Sequence, residues 1–200
     1  MSIIIDLKNS FTVMYSGVLG IGYDFDVVLR AAKILNKNFN VTFVIRGSGE
    51  LAPKLKKDIK LLGLENVVFD TRFLSRDELS ALLNSADVFL LPMADLSFVE
   101  LGLPTKVFEY QSYGKPIICI SNGEAAKYVT LTDSGLVVSP KDAEGLAKAI
   151  VSLYEDSKLV STLGINGKEF VSEKFTSEKI GERMYTLFSS LIYSNNIREN

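Results

Sequence analysis

Short apolar runs alternate along this chain with longer segments in which apolar residues recur at helical spacing. The six apolar runs cover residues 12–17, 41–47, 67–69, 87–91, 117–120 and 135–138. The helical segments cover 26–35, 50–62, 75–85, a short stretch from Lys106, 142–154, 158–166 and 178–193. Strands that are apolar throughout and separated by helices are typical of βαβ units in a covered parallel sheet. The pattern predicts an α/β fold: a single Rossmann-like doubly wound domain with a mainly parallel six-stranded sheet and helices on both faces.

Local signals support several of the predicted helix ends. Pro53 stands in the first turn of the second helix, where proline is tolerated, and Gly63 is a suitable stop. Ser75 and Glu78 have the spacing of a capping box at the start of the next helix. These signals place helix ends without any knowledge of the tertiary structure.

Length and composition suit one domain with a substantial core, since the chain has 200 residues, 47% of them hydrophobic and 23% charged. We expect a linker or N-terminal extension over 1–11, the domain over 12–193 and a disordered tail over 194–200. A single cysteine and a start without signal-peptide character indicate a cytoplasmic location.

The chain has no histidine and one cysteine, which excludes several kinds of site. Ser-His-Asp and Cys-His catalysis, His-ligated metals and thiolate zinc sites all need residues that are absent, so we expect no metal and no cofactor. Cys119 lies inside an apolar run and is interpreted as a core residue. A net charge of −2 gives no field that attracts nucleic acid, and no apolar run is long enough to span a membrane. Peripheral membrane association stays open.

Ligands of open α/β sheets lie outside the carboxyl ends of the strands, near the switch in strand order. The segments that follow predicted strands are therefore the candidate site: Gly17–Tyr23, Arg46–Glu50, Asp70–Phe73, Pro92–Glu100 and the loop before Lys106.

Three glycines follow the first predicted strand: Gly17, Gly20 and Gly22. The dinucleotide fingerprint G-x-G-x-x-G would need glycine at position 19, and the expected acidic residue after the second strand is missing, with Arg46 near that place. An NAD site is therefore disfavoured and an NADP site is only slightly better. The glycines allow close approach of a ligand or a tight turn, and the same two interpretations apply to Gly47.

Lys106 stands at the N-terminus of a predicted helix, with Glu109 one turn further on. A cation at the positive end of a helix dipole is unfavourable by about 0.3–1 kcal/mol, unless an anion shares the site. Free N–H groups at a helix start bind phosphate. The segment therefore indicates a phosphate-bearing ligand whose hydroxyls are bound by Glu109. The alternative is a surface ion pair between the two side chains.

Several ordered blocks of the sequence resemble the C-terminal domain of family-4 (group 1) glycosyltransferases of the GT-B fold. The blocks are the strand and glycine loop at 15–22, VIRGSGE, LGLENVVFDTRFLSRDELSALLNSADVFLLP, the stretch 106–116 and GLVVSPKDAEGLAKAI. FEYQSYGKPIICI is similar to the family's E-A-x-A-x-G-x-P-V-I block, and LGLPTKVFEY to a variant in amino-sugar transferases. The resemblance runs from about residue 12 to 187.

The resemblance implies a site for a nucleoside-diphosphate sugar, with UDP as the expected nucleotide. Glu109 matches the second glutamate of the family's E-x7-E motif, which holds the ribose hydroxyls. The backbone around Arg72 and Phe73 matches the region that reads the base, and Gly17 matches the glycine next to the diphosphate. The remaining expected binding residues are Gly20, Gly22, Arg46, Gly47, Pro104, Thr105 and Lys106.

Two departures from the family pattern affect the expected chemistry. The arginine and lysine that usually follow the first strand are absent from GVLGIGYDFD, so Lys106 is assigned their charge on the diphosphate. The first glutamate of E-x7-E falls at Leu101, and Glu100 lies one residue out of register. Lys106 and Glu100 are the candidate catalytic residues.

A GT-B enzyme has two Rossmann-like domains, and this chain corresponds to one of them. The resemblance therefore implies the donor-binding half of a retaining glycosyltransferase, inactive without an N-terminal acceptor-binding domain or a separate partner chain. The apolar side of the last helix either covers the core or faces that other domain. The alternatives are a non-catalytic interaction subunit and an NADP-binding module.

Overall fold

The computed structural model describes residues 7, 9–36 and 38–196, and its centre is one parallel sheet. The strands are β1 (Phe11–Ser16), β2 (Val41–Arg46), β3 (Val67–Asp70), β4 (Val88–Pro92), β5 (Ile117–Ile120) and β6 (Gly135–Val138). Their order is β3-β2-β1-β4-β5-β6, and every neighbouring pair is parallel. The predicted doubly wound fold is confirmed, and the switch in strand order lies between β1 and β4.

The described residues form nine helices around the sheet. They are α1 (Phe25–Leu35), α2 (Ala52–Leu62), α3 (Arg76–Asn84), α4 (Ser97–Glu100), α5 (Lys106–Ser112), α6 (Glu124–Leu131), α7 (Ala143–Glu155), α8 (Ser157–Lys174) and α9 (Ser177–Asn196). The helix ends that were predicted from capping residues are confirmed. Gly63 ends α2 in the left-handed conformation with φ 61°, and Ser75 and Glu78 form a capping box at the start of α3. Helices α4 and α6 were not predicted.

Helix α8 runs to Lys174, well beyond the predicted end at 166. Two glycines inside it, Gly164 and Gly167, lie at close contacts with other elements. A Cβ atom at Gly164 would lie 2.2 Å from the carbonyl oxygen of Gly114. A Cβ at Gly167 would lie 2.9 Å from the Cβ of Ser134. These glycines let α8 pack closely on the turn after α5 and on the loop before β6, so they mark a helix contact.

The core has two layers, one on each face of the sheet. Alternate residues of β1 divide between them, with Tyr15 facing the layer under α1 and α7, and Met14 facing the layer under α3, α5 and α6. Cys119 is fully buried in the second layer, and burial raises the pKa of its thiol to about 12. Its interpretation as a core residue is confirmed.

One rung of the sheet is polar although it is buried. Ser16, Arg46 and Asp70 are register partners at the carboxyl ends of β1, β2 and β3. Their exposed fractions are 8%, 9% and 5%. Because parallel register partners point to the same face, this polar rung, Ser16–Arg46–Asp70, lies on one side of the sheet at its ligand-binding edge.

Helix α9 does not cover the core, contrary to one of the two interpretations of its apolar side. Its large apolar side chains are between 41% and 62% exposed: Ile180, Met184, Leu187, Phe188, Leu191 and Ile192. The helix runs to Asn196, and residues 197–200 lie outside the described part of the chain. Of the predicted N-terminal extension, Leu7 is buried against the core. In the part of the chain that the structure describes, no helix is long and apolar enough to cross a membrane.

Candidate functional site

The loops after β1 and β4 are joined at the switch point of the sheet. The amide of Asp24 donates to the carbonyl of Pro92 at 2.8 Å, and the amide of Ala94 donates to the carbonyl of Gly22 at 2.9 Å. Tyr23 and Met93 form an isolated antiparallel bridge between these two bonds. Each loop therefore fixes the other at the edge where α/β sheets bind ligands.

In the loop at 17–22, every second backbone amide donates a hydrogen bond to another part of the protein. The amides of Gly17, Leu19 and Ile21 donate to the carbonyls of Arg46 and Ser48 and to the carboxylate of Glu50, at 3.0, 2.8 and 3.1 Å. The amides of Val18, Gly20 and Gly22 have no partner among the described residues. Three N–H groups of this loop are thus open to an anion, which suits a phosphate group.

Gly47 is required by direct contact between the two glycine loops. A Cβ atom at this position would lie 1.7 Å from the carbonyl oxygen of Gly17, and its φ is 139°. Gly49 repeats the arrangement, since its Cβ would lie 2.3 Å from the carbonyl oxygen of Leu19. The loop after β2 therefore supports the loop after β1 through close contacts between backbone atoms.

Lys106 reaches from the start of α5 to the end of β1. Its Nζ donates to the hydroxyl of Tyr23 at 3.2 Å and lies 5.1 and 4.9 Å from the ring centroids of Tyr15 and Tyr23. A Cβ at Gly17 would lie 2.6 Å from this ammonium group. The two rings attract the cation and hold it over the glycine loop. The alternative of an ion pair with Glu109 is wrong, because the described part of the chain contains no such pair.

Tyr110 fixes the orientation of α5 against β1. Its hydroxyl accepts from the amide of Ser16 and donates to the carbonyl of Ser16, both at 3.0 Å. Its ring stacks on Phe89 with the centroids 4.1 Å apart. Burial raises the pKa of Tyr110 far above its usual value, so its hydroxyl stays neutral. The helix that carries Lys106 and Glu109 is therefore anchored at the site.

The other predicted site residues near Lys106 differ in exposure and in hydrogen bonding. Glu109 is exposed on α5, and its carboxylate makes no hydrogen bond or ion pair within the described residues. Thr105 occupies the position before α5 without capping it, and the carbonyl of Pro104 accepts from Val107 at 3.0 Å. Glu100 ends α4 and is half-buried, with its backbone against Gly123. The structure leaves both carboxylates available to a ligand.

A cleft of about 450 Å³ lies beyond the ends of β1, β2 and β3. The residues that line it include Gly17, Val18, Arg46, Phe73, Leu74 and Leu79. The ring of Phe73 is 98% exposed beside it. The cleft adjoins the glycine loop and therefore forms one continuous candidate site with Lys106.

Charged side chains surround Asp70 beside this cleft. Arg72 donates to the two carboxylate oxygens of Asp70 from Nε at 2.8 Å and from Nη2 at 3.2 Å. Burial opposes ionisation of Asp70, but the hydrogen bonds from Arg72 and the nearby charge of Arg46 outweigh it, so the pKa of Asp70 is lowered. The carboxylate is therefore charged at neutral pH and fixes the side chain of Arg72.

The sequence pattern assigned no role to Tyr15, Tyr23, Tyr110 or Asp70, although Tyr23 and Asp70 lie in the candidate segments. Tyr15 and Tyr110 lie in segments predicted to be buried, so they could be taken for ordinary core residues. Tyr23 is separated from Lys106 by 83 positions, and no local signal joins them. Among the described residues, no group of three or more His, Cys, Asp or Glu side chains could hold a metal ion.

The sequence profile of the family described as "Glycosyl transferases group 1" matches residues 5–170. The 2-deoxystreptamine N-acetyl-D-glucosaminyltransferase of Niallia circulans is 25% identical over 186 residues, which are 92% of this chain and 46% of that enzyme. The alpha-D-kanosaminyltransferase of Streptomyces kanamyceticus is 23% identical over 161 residues, which are 80% of this chain and 40% of that enzyme. The chain spans less than half the length of these two relatives.

Solved structures share the fold. Anabaena Alr3699/HepE in complex with UDP has a TM-score of 0.78 and 21% identity, covering 93% of this chain and 50% of that one. The C-terminal domain of the group 1 family protein LpcC from Francisella tularensis has a TM-score of 0.69 and 18% identity, covering 84% of this chain and 87% of that one. With the family match over most of its length, this chain belongs to the group 1 glycosyltransferases and has the fold of their C-terminal GT-B domain.

Proposed function

We propose that this chain is the donor-binding half of a retaining glycosyltransferase that uses a nucleoside-diphosphate sugar, with UDP as the nucleotide. The observation that carries the proposal is the position of Lys106, whose ammonium lies over a glycine loop with three open amides. The Anabaena protein of the same fold was solved with UDP and with UDP-glucose, which supports the choice of nucleotide.

The arrangement suits a diphosphate that leaves as the glycosyl bond breaks. Negative charge then grows on the leaving diphosphate, and preorganised donors stabilise it without reorganising. Lys106 supplies a positive charge held by Tyr15 and Tyr23, and the loop supplies amides at fixed positions. In this proposal Lys106 takes the place of the two cations that are missing after β1.

Glu109 binds the ribose in the proposed complex. It lies one turn beyond Lys106 on a helix that Tyr110 anchors to β1, so its position relative to the diphosphate is fixed. A carboxylate with no competing partner can accept hydrogen bonds from both hydroxyls of a vicinal diol. Glu100, at the end of α4, is proposed to face the transferred sugar.

The acceptor is proposed to bind to a second domain or a partner chain. The chain spans 46% of the Niallia enzyme and 50% of the Anabaena protein, and the proposal takes it as one half of a two-domain enzyme. The exposed apolar side of α9 and the exposed Phe98 and Leu101 at the site's edge offer surfaces for that half. Contact of α9 with another domain is the interpretation that this proposal adopts.

The first prediction tests donor binding. Saturating UDP is expected to raise the melting temperature of the wild-type chain, since a ligand at 100 times its Kd stabilises by about 2.7 kcal/mol. Glu109→Gln should remove most of the shift with UDP and leave the shift with pyrophosphate, because pyrophosphate has no ribose. Glu65→Gln, an exposed glutamate after α2, is the matched control and should change neither shift. Protection by NADPH together with no response to UDP would contradict the proposal.

The second prediction concerns turnover. The purified chain should bind UDP-sugars yet release no UDP through transfer to a simple sugar acceptor, because the acceptor-binding half is absent. A coupled assay for released UDP, with a full-length relative as the positive control, measures this. Transfer by the chain alone would show that no second half is needed.

A further inference from the structure

Arg46 is a buried cation that the protein itself leaves incompletely paired. It belongs to the polar rung Ser16–Arg46–Asp70 and is only 9% exposed. Its Nη2 donates to the carbonyl of Arg72 at 2.9 Å, and its Nε is buried without a partner. No carboxylate among the described residues forms an ion pair with it, because Asp70 is paired with Arg72. Buried donors are normally satisfied, so a missing acceptor is expected here.

The cleft that Arg46 lines has the character of a site for a flat ring. Val18, Leu74 and Leu79 supply apolar surface, and Phe73 supplies an aromatic ring that is 98% exposed. Arg46, Ser48, Thr71 and Arg72 give the cleft a polar part as well, while its apolar walls provide a surface on which an aromatic heterocycle can stack. Gly17 and Val18 belong to the glycine loop and also line this cleft, and the ammonium of Lys106 lies close to Gly17.

We infer that Arg46 recognises an exocyclic carbonyl oxygen of the nucleobase and so selects an oxo-bearing base. The inference rests on the proposed nucleotide site and adds a specificity-determining residue to it. A guanidinium group only donates hydrogen bonds, so it can donate to a ring carbonyl oxygen but has no acceptor for an amino group. Uracil presents two ring carbonyls, whereas adenine presents an amino group and no carbonyl.

The position of Arg46 leads us to expect a large difference in affinity between bases with and without a carbonyl. Its side chain comes from the end of β2 and is restrained by the hydrogen bond to the backbone of Arg72, in the loop after β3. Asp70 holds the side chain of Arg72 in turn, so this loop is fixed from both sides. A base without a carbonyl at this position would leave the buried Nε of Arg46 without a partner, which lowers affinity.

The test compares dissociation constants for UDP, ADP, uridine and pyrophosphate in wild type and Arg46→Met by titration calorimetry. Wild type should bind UDP more tightly than ADP. In the variant, UDP and uridine should each weaken by about 10- to 100-fold, the range for a hydrogen bond from a charged donor, while ADP and pyrophosphate stay unchanged. The preference for UDP over ADP then falls by the same factor.

Arg76→Met is the matched control, because Arg76 is exposed at the start of α3 and should leave all four constants unchanged. If Arg46→Met lowers the melting temperature too far, Arg46→Lys keeps the charge but loses the planar group, and the preference for UDP should still fall. Equal weakening of UDP and pyrophosphate, or an unchanged ratio of UDP to ADP, would overturn the role of Arg46 while donor binding stands. Absence of any nucleotide binding by wild type would overturn both proposals.

Discussion

Gly47→Ala is expected to lower the free energy of unfolding by about 3 kcal/mol or more and to abolish the response to UDP. Two effects combine at this position. The added Cβ would lie 1.7 Å from the carbonyl oxygen of Gly17, and the φ of 139° is a conformation that side chains rarely adopt. Because the obstructing atom belongs to the backbone, the loop after β1 has to move, and the open amides move with it.

Two other glycines separate these effects in urea unfolding experiments. Gly63 has a φ of 61° but open space around it, so Gly63→Ala should cost only about 1 kcal/mol for the left-handed backbone. Gly181 lies inside α9 with nothing near its missing Cβ, so Gly181→Ala should stabilise the chain by about 0.5–1 kcal/mol. A cost at position 47 no greater than that at position 63 would show that the contact between the loops is not tight.

Lys106→Met should weaken UDP binding by about 100-fold and leave uridine binding almost unchanged. The ammonium lies over the glycine loop, so the lost interaction belongs to the diphosphate, and uridine has none. Methionine keeps much of the apolar stem between Tyr15 and Tyr23, which limits changes in packing. Calorimetric titration with both ligands measures the difference.

Lys60→Met provides the control for charge, since Lys60 is exposed in the last turn of α2, away from the proposed site. It should leave the binding of both ligands within experimental error of wild type. Equal weakening of UDP and uridine by Lys106→Met would mean that this lysine supports the loop structure and does not bind the diphosphate.

The sheet could be predicted because its strands are buried on both faces and are therefore apolar throughout. Helix α6 was missed because nothing in its sequence starts a helix: Gly123 precedes it without a side-chain cap. Its stability comes from packing, with Ala125, Ala126 and Val129 buried against the sheet. The length of α8 was missed because Gly167, just after the predicted end, serves a close helix contact that only the folded chain reveals.

The candidate site was predictable where it depends on chain order and not where it depends on register. The glycine loops follow strands, so their place at the ligand edge could be expected, as could that of Lys106 and Glu109. The polar rung could not be foreseen, because pairing Arg46 with Asp70 requires the register of β2 on β3. The aromatic contacts of Lys106 equally require the order of strands that places β1 beside β4. Whether these residues bind a nucleotide sugar stays a prediction.

Helix α9 stands apart from both core layers of the domain. Its apolar side chains are exposed, and a contact of Arg183 with the ring of Phe175, 5.5 Å from its centroid, marks where the helix leaves the body of the domain. A recombination junction between α8 and α9 would therefore keep both core layers and the glycine loops in one piece. If the proposed donor-binding role is right, chimeras joined there are expected to exchange sugar donors while each recipient keeps its own last helix.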